Sequence, residues 1–123
     1  GQPSRAVPPA LTKTWAGLCF VTPGTSGAGV CPIKVAEYLA AGVPVVINAG
    51  LGDLDHLIAR TRVGVVVADF TPAAYREAWT RLCRLTEDIS LRSRCRRIAR
   101  EHFNRVDGIA AYRALYARLA ERA

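Results

Sequence analysis

Three short runs of mostly branched apolar residues, GLCFVTP (17–23), VPVVIN (43–48) and RVGVVVAD (62–69), do most to limit what this chain can fold into. None alternates apolar with polar side chains, so each reads as a strand buried on both faces. Segments of helical periodicity separate them. Strands this uniformly apolar, alternating with helices, require a parallel sheet covered by helices on its two sides.

Local punctuation sets the boundaries. Pro23 and Gly24 close the first run, and GTSGAGVC (24–31) follows as a glycine-rich loop. Pro32 then suits the first position of a helix, where its missing N–H costs nothing. Gly42 is the expected stop of that helix, Pro44 is tolerable only near the start of the next strand, and Asp53 is the expected cap of a second helix. Beyond the third run, three apolar stripes recur at helical spacing: Tyr75, Ala78, Trp79, Leu82 and Leu85; Leu91, Cys95, Ile98 and Ala99; Ile109, Tyr112, Leu115, Tyr116 and Leu119. The expectation is an α/β fold, a partial Rossmann-like three-layer domain. Its parallel sheet has about three strands (17–22, 43–48, 63–68), with helices at about 32–41, 53–60, 72–86, 88–103 and 107–121.

With 123 residues, half of them apolar, the chain has enough material for one core and reads as a single unit over 1–123. Its opening GQPSRAVPP and lack of Met suggest a segment of something longer. No apolar run approaches the roughly 20 residues needed to cross a bilayer, so the expected location is the cytoplasm, with the membrane surface as an alternative. Cys19, Cys31, Cys83 and Cys95 lack the close pairing of a zinc site and read as reduced thiols; no metal and no cofactor are expected.

The net charge of +7 is uneven: residues 1–70 contribute +1 and residues 71–123 contribute +6. Arg81, Arg84, Arg92, Arg94, Arg96, Arg97, Arg100 and Arg105 could meet nucleic-acid phosphates or anionic lipid headgroups. No aromatic residues interleave with them, which favours a solvated face. Nucleic acid is therefore not the expected partner, and peripheral membrane contact stays open.

The helix opened by Pro32 carries one acid among alanines, Glu37, and one base, Lys34. On a helical wheel Val35, Tyr38 and Leu39 share one side while Lys34, Glu37 and Ala41 lie opposite. A helix N-terminus after a glycine-rich loop offers free amides and the positive end of the macrodipole to phosphate oxygens. Ile33 and Lys34 supply those amides, Lys34 adds a full charge, and Glu37 lies about 4–5 Å further along the axis. That is roughly the step from a diphosphate to a ribose, whose two hydroxyls one carboxylate can accept. The simpler alternative is an i,i+3 ion pair of Lys34 with Glu37 on a wet surface.

The block PIKVAEYLAAGVPVVINAGLGDLDHLI (32–58), followed by VGVVVADF (63–70) and AYRALYARL (111–119), resembles the C-terminal domain of retaining glycosyltransferases of the GT-B fold, group 1 or family 4 type. The likeness runs from about residue 17 to 119 and is carried mainly by the Glu-aromatic-Leu-Ala-Ala-Gly-x-Pro-Val-Val pattern. It implies that Glu37 binds the ribose of a sugar-nucleotide donor, that amides at Ile33 and Lys34 hold the diphosphate, and that Gly27 and Gly29 let the backbone approach closely. NAGLGDL (48–54) corresponds to a loop that faces the same cleft, where Gly50 and Gly52 leave room; a tight strand-to-helix turn is the alternative. The family often carries a further Glu eight positions before this one, and here that position is Gly29, which leaves donor-sugar handling open.

The resemblance further implies a sugar-nucleotide donor, transfer to an acceptor hydroxyl with retention and usually without a metal, and a partner domain supplying the acceptor site. No catalytic residue is assigned within the chain, which is expected to be inactive alone. His56 and His102 match no family role and read as surface residues. A dinucleotide-binding half-domain is the rival, since GAGVCP (27–32) has two glycines at fingerprint spacing, but Pro32 replaces the third and the following strand ends in Asn48 rather than an acid. Without neighbouring strands the sheet would expose an edge, so self-association by edge pairing or swapping is expected.

Overall fold

The computed structural model describes residues 10–11, 13–22 and 32–121. Three strands, β1 (Gly17–Cys19), β2 (Val45–Asn48) and β3 (Gly64–Val67), form one parallel sheet in the order β1-β2-β3. Gly17 stands opposite Val45, and Val45 opposite Gly64. Accompanying them are the helices α1 (Ile33–Ala40), α2 (Asp53–Thr61), α3 (Pro72–Thr86), α4 (Leu91–His102) and α5 (Arg105–Glu121). The α/β class and the parallel sheet are those expected from the apolar runs.

The strands are shorter than the runs that predict them, each for a local reason. β1 stops at Cys19 because the amide of Val21 donates to the side-chain Oδ1 of Asn48 (2.8 Å) instead of to a strand backbone. β2 begins at Val45 because Val43 is spent on ending α1: its amide bonds the Tyr38 carbonyl (2.9 Å) while that of Gly42 bonds Leu39 (2.9 Å). This is a Schellman stop, and the φ of +80° at Gly42 is the left-handed value it needs.

α4 starts three residues later than expected. The Asp88 carboxylate takes the amide (2.9 Å) and hydroxyl (2.7 Å) of Ser90 and folds residues 88–90 into a turn. Arg94 then bonds Asp88 (2.8 Å) and, through two nitrogens, the carbonyl of Arg62 (3.1 and 2.9 Å), tying α4 to the α2–β3 turn.

Pleating divides the core. Val45, Ile47 and Val66 face α1, α2 and α4, where Val35, Leu39, Leu54, Ile58, Leu91, Cys95 and Ile98 are buried with them. Val46, Val65 and Val67 face the other way, onto Ala78 and Leu82 of α3. Close approach explains two glycines. A Cβ on Gly64 would collide with the Val45 carbonyl, and one on Gly17 with the Tyr38 ring.

The stripe expected to bury α5 finds no surface: no side chain of this helix is buried, and Tyr112, Leu115, Tyr116 and Leu119 are all exposed. Among the described residues no helix is long and apolar enough to cross a membrane.

Candidate functional site

In a parallel sheet every strand ends on the same side, and loops leaving that edge can converge on one ligand. Here the carboxyl edge gathers the stretch after β1 (Phe20–Thr22), the first turn of α1, the loop Ala49–Gly52 after β2 and residues 68–71 after β3. Gly27 and Gly29 lie outside the described residues, as does Cys31.

The opening of α1 carries no side-chain cap among the described residues. Pro32 precedes the helix in an extended conformation, and the first backbone bond of the turn runs from the Val35 amide to the Pro32 carbonyl (3.0 Å). The Ile33 and Lys34 amides lie ahead of that bond, among the donors a helix leaves without internal acceptors. Both side chains are exposed, Ile33 at 77 %. Burial pushes the Cys19 thiol up, and the Lys34 ammonium partly opposes the shift, so the Lys34 charge is felt at the carboxyl end of β1.

Glu37 lies one turn further on and is exposed. It borders a cleft of about 490 Å³ between α1 and α4, together with Ala36, Ala40, Arg96, Arg100 and Phe103. Among the described residues the ion pairs are Asp88 with Arg94 and Arg97 with Glu101; none joins Lys34 to Glu37. Arg96 is oriented by the end of α1: its guanidinium reaches the Ala41 carbonyl (3.5 Å) and rests against Gly42. A cation there complements the negative end of the helix.

The loop after β2 is held from two sides. Asn48, the one buried polar side chain among the described residues, donates to the Ala49 carbonyl (2.9 Å) while receiving the Val21 amide, and so joins the loops after β1 and β2. Asp55 accepts the amides of Gly50 (3.0 Å) and His56 (2.8 Å). The cap expected at Asp53 is therefore absent: Asp53 is the first helical residue, Gly52 precedes it, and Asp55 carries the bonds.

Gly50 (φ +88°) and Gly52 (φ +61°) both need the left-handed region. A Cβ on Gly50 would meet nothing within 4 Å, so conformation rather than crowding demands the glycine, and the loop surface there is open. At the third strand end, hydrogen bonds from the Thr71 hydroxyl and amide hold the Asp69 carboxyl below its ordinary range, fixing the turn into α3.

Ile33, Lys34, Gly50 and Gly52 thus share the carboxyl edge of the sheet, while Glu37 lies deeper, toward α4. Sequence reasoning overlooked Asn48 as a tie between loops and read Arg96 and Arg100 only as members of a basic face. The small pair Ala36 and Ala40, one turn apart beside Glu37, was the available signal that another helix passes close to this flank. Cys19, Cys83 and Cys95 are free, and among the described residues no three His, Cys, Asp or Glu side chains gather as a metal would need. His56 and His102 are exposed. Compared with known proteins, the chain matches no family model, no curated protein and no solved structure.

Proposed function

We propose that this chain is the donor-binding part of a GT-B-type retaining glycosyltransferase, holding a nucleoside diphosphate sugar at the carboxyl edge of its sheet. One observation carries the reading: the first turn of α1, which no described side chain caps and where Lys34 is exposed, stands at the same edge as the Gly50–Gly52 loop. The diphosphate lies across the Ile33 and Lys34 amides, where helix partial charge and the ammonium both attract it. Glu37 accepts the hydroxyls of the adjoining ribose at the mouth of the α1–α4 cleft. Separation matters here, because a carboxylate beside the phosphates would repel them. About three residues of helical rise keep it roughly 4.5 Å along the axis from Lys34.

In this proposal the chain binds and orients the donor, and an acceptor-binding domain completes the cleft in which the sugar is transferred with retention. Calorimetric titration with UDP and with inorganic pyrophosphate tests it. UDP binds more tightly than pyrophosphate to the native chain. Lys34→Ala weakens both about tenfold, the scale of one charge-assisted hydrogen bond. Glu37→Ala keeps its helix, since alanine is the better helix former, and removes the preference for UDP. Equal affinity of the native chain for the two ligands, or binding of neither, rejects the assignment. Duplex DNA serves as the control, because counterion release makes its binding fall much more steeply with salt.

A further inference from the structure

Two apolar features among the described residues are exposed and complement one another. The first is a cleft of about 430 Å³ on the α3 side of the sheet, walled by Trp15, Leu18, Phe20, Tyr75 and Trp79 and floored by Leu82. Its rings are preorganised: Trp15 and Trp79 lie 5.2 Å apart, and Phe20 meets Tyr75 edge to face at 5.9 Å. Trp79 is 59 % and Leu18 63 % exposed.

The second feature is α5. Ile109, Tyr112, Leu115, Tyr116 and Leu119 fall within one stripe about 120° wide at helical spacing; from Ile109 to Leu119 the stripe contains no charged residue, and Arg105, one turn before Ile109, lies in line with it. Asp107, Arg113 and Arg118 lie on its flanks. Closing residues 109–119 of the stripe onto the cleft therefore desolvates no ion within that span.

We infer that this chain pairs with a second copy of itself by exchanging α5, the apolar stripe of each copy lying in the aromatic cleft of the other. The connection starts the helix beside the enclosed face. Phe103 packs into the core on the α1–α4 face, and the Asn104 side chain accepts the Val106 amide (3.0 Å), starting α5 immediately beyond. The helix thus starts beside the α1–α4 face rather than the α3 face that carries the cleft, a two-fold axis brings it to the cleft of a second copy, and the reciprocal contact closes the assembly at two.

The area is adequate. Five large, half-exposed side chains on each surface bury on the order of 800 Å² per helix–cleft contact, so two contacts reach about 1,600 Å², the size of a standard stable interface.

Sedimentation velocity of the full 123-residue chain over micromolar to millimolar concentrations provides the test. The native chain sediments as a dimer. Tyr116→Glu combined with Leu119→Glu, and separately Trp79→Glu, raise the dissociation constant about tenfold or more. Mixing the two variants restores a heterodimer, because one retains an intact cleft and the other an intact α5. Circular dichroism verifies folding; should Trp79→Glu unfold the chain, Leu18→Lys at the exposed cleft wall replaces it. A monomeric native chain overturns the inference, as does a mixture that stays monomeric. Persistence of the dimer in the α5 variant overturns it in favour of pairing along the β1 edge, and persistence in the cleft variant in favour of α5 against α5. A monomer that co-sediments with phosphatidylcholine–phosphatidylserine vesicles overturns it in favour of a membrane surface.

Discussion

The two faces of the sheet are built from the same strands yet finished differently. On one face α1, α2 and α4 enclose Val45 and Ile47 so fully that Leu39, Ile58 and Cys95 have almost no exposure. On the other, α3 is the described helix that covers Val46, Val65 and Val67, and aromatic side chains stand beside it half in water. A parallel sheet needs cover on both faces, but cover of unequal extent separates two tasks: the enclosed face holds the fold, and the open one retains surface with which to meet something else.

Substitutions at matched positions sharpen this contrast. Leu39→Ala, on the enclosed face, should cost about 3–5 kcal/mol in denaturant unfolding, since a fully buried site packed between helix and sheet cannot collapse around the cavity. Leu82→Ala, beneath the aromatic cleft, should cost less, about 2–3 kcal/mol, because neighbouring rings can move into the space. Trp79→Ser, measured in dilute solution where single copies prevail, should change stability by under about 1 kcal/mol. Equal losses at Leu39 and Leu82 would erase the distinction between the faces.

The smallest effect concerns acid. Hydrogen bonds from Ser90, then Arg94, hold the Asp88 carboxyl down to about 2. A folded-state value below the free one means that its stabilisation is complete above about pH 4 and is lost as pH falls through about 2. The carboxyl is only partly shielded from water, so the effect is modest. Asp88→Asn should flatten the acid limb of the stability profile in that interval, lowering stability modestly above about pH 4 and leaving it little changed near pH 2, read by thermal melts across pH.

Much of the framework is legible in the residues. Branched apolar runs identify all three strands, and Gly42 with Pro44 marks the stop of α1. Side chains that substitute for backbone defeat the boundaries: Asn48 ends β1 from 27 residues away, and Asp88 postpones α4. Neither bond has a signature in local propensity. α5 is the converse case, since its periodicity announces a helix but says nothing of what the stripe meets.

For the site, glycine and proline identified the uncapped turn and the Gly50–Gly52 loop, because both depend on backbone conformation. The cleft beside Glu37 was not legible, because it arises from the packing of α1 against a helix more than 50 residues later in the chain. Arg96, tied to Ala41 across that distance, belongs to the same class of tertiary information.

Cys95 is buried against the Val63 carbonyl (3.8 Å), and burial drives its thiol up to about 11. Near neutrality roughly one such group in ten thousand is ionised, so an alkylating reagent finds neither access nor a nucleophile while the enclosed layer stays shut. Covalent capture of this sulfur therefore registers the opening of that layer, at a position no surface rearrangement reaches.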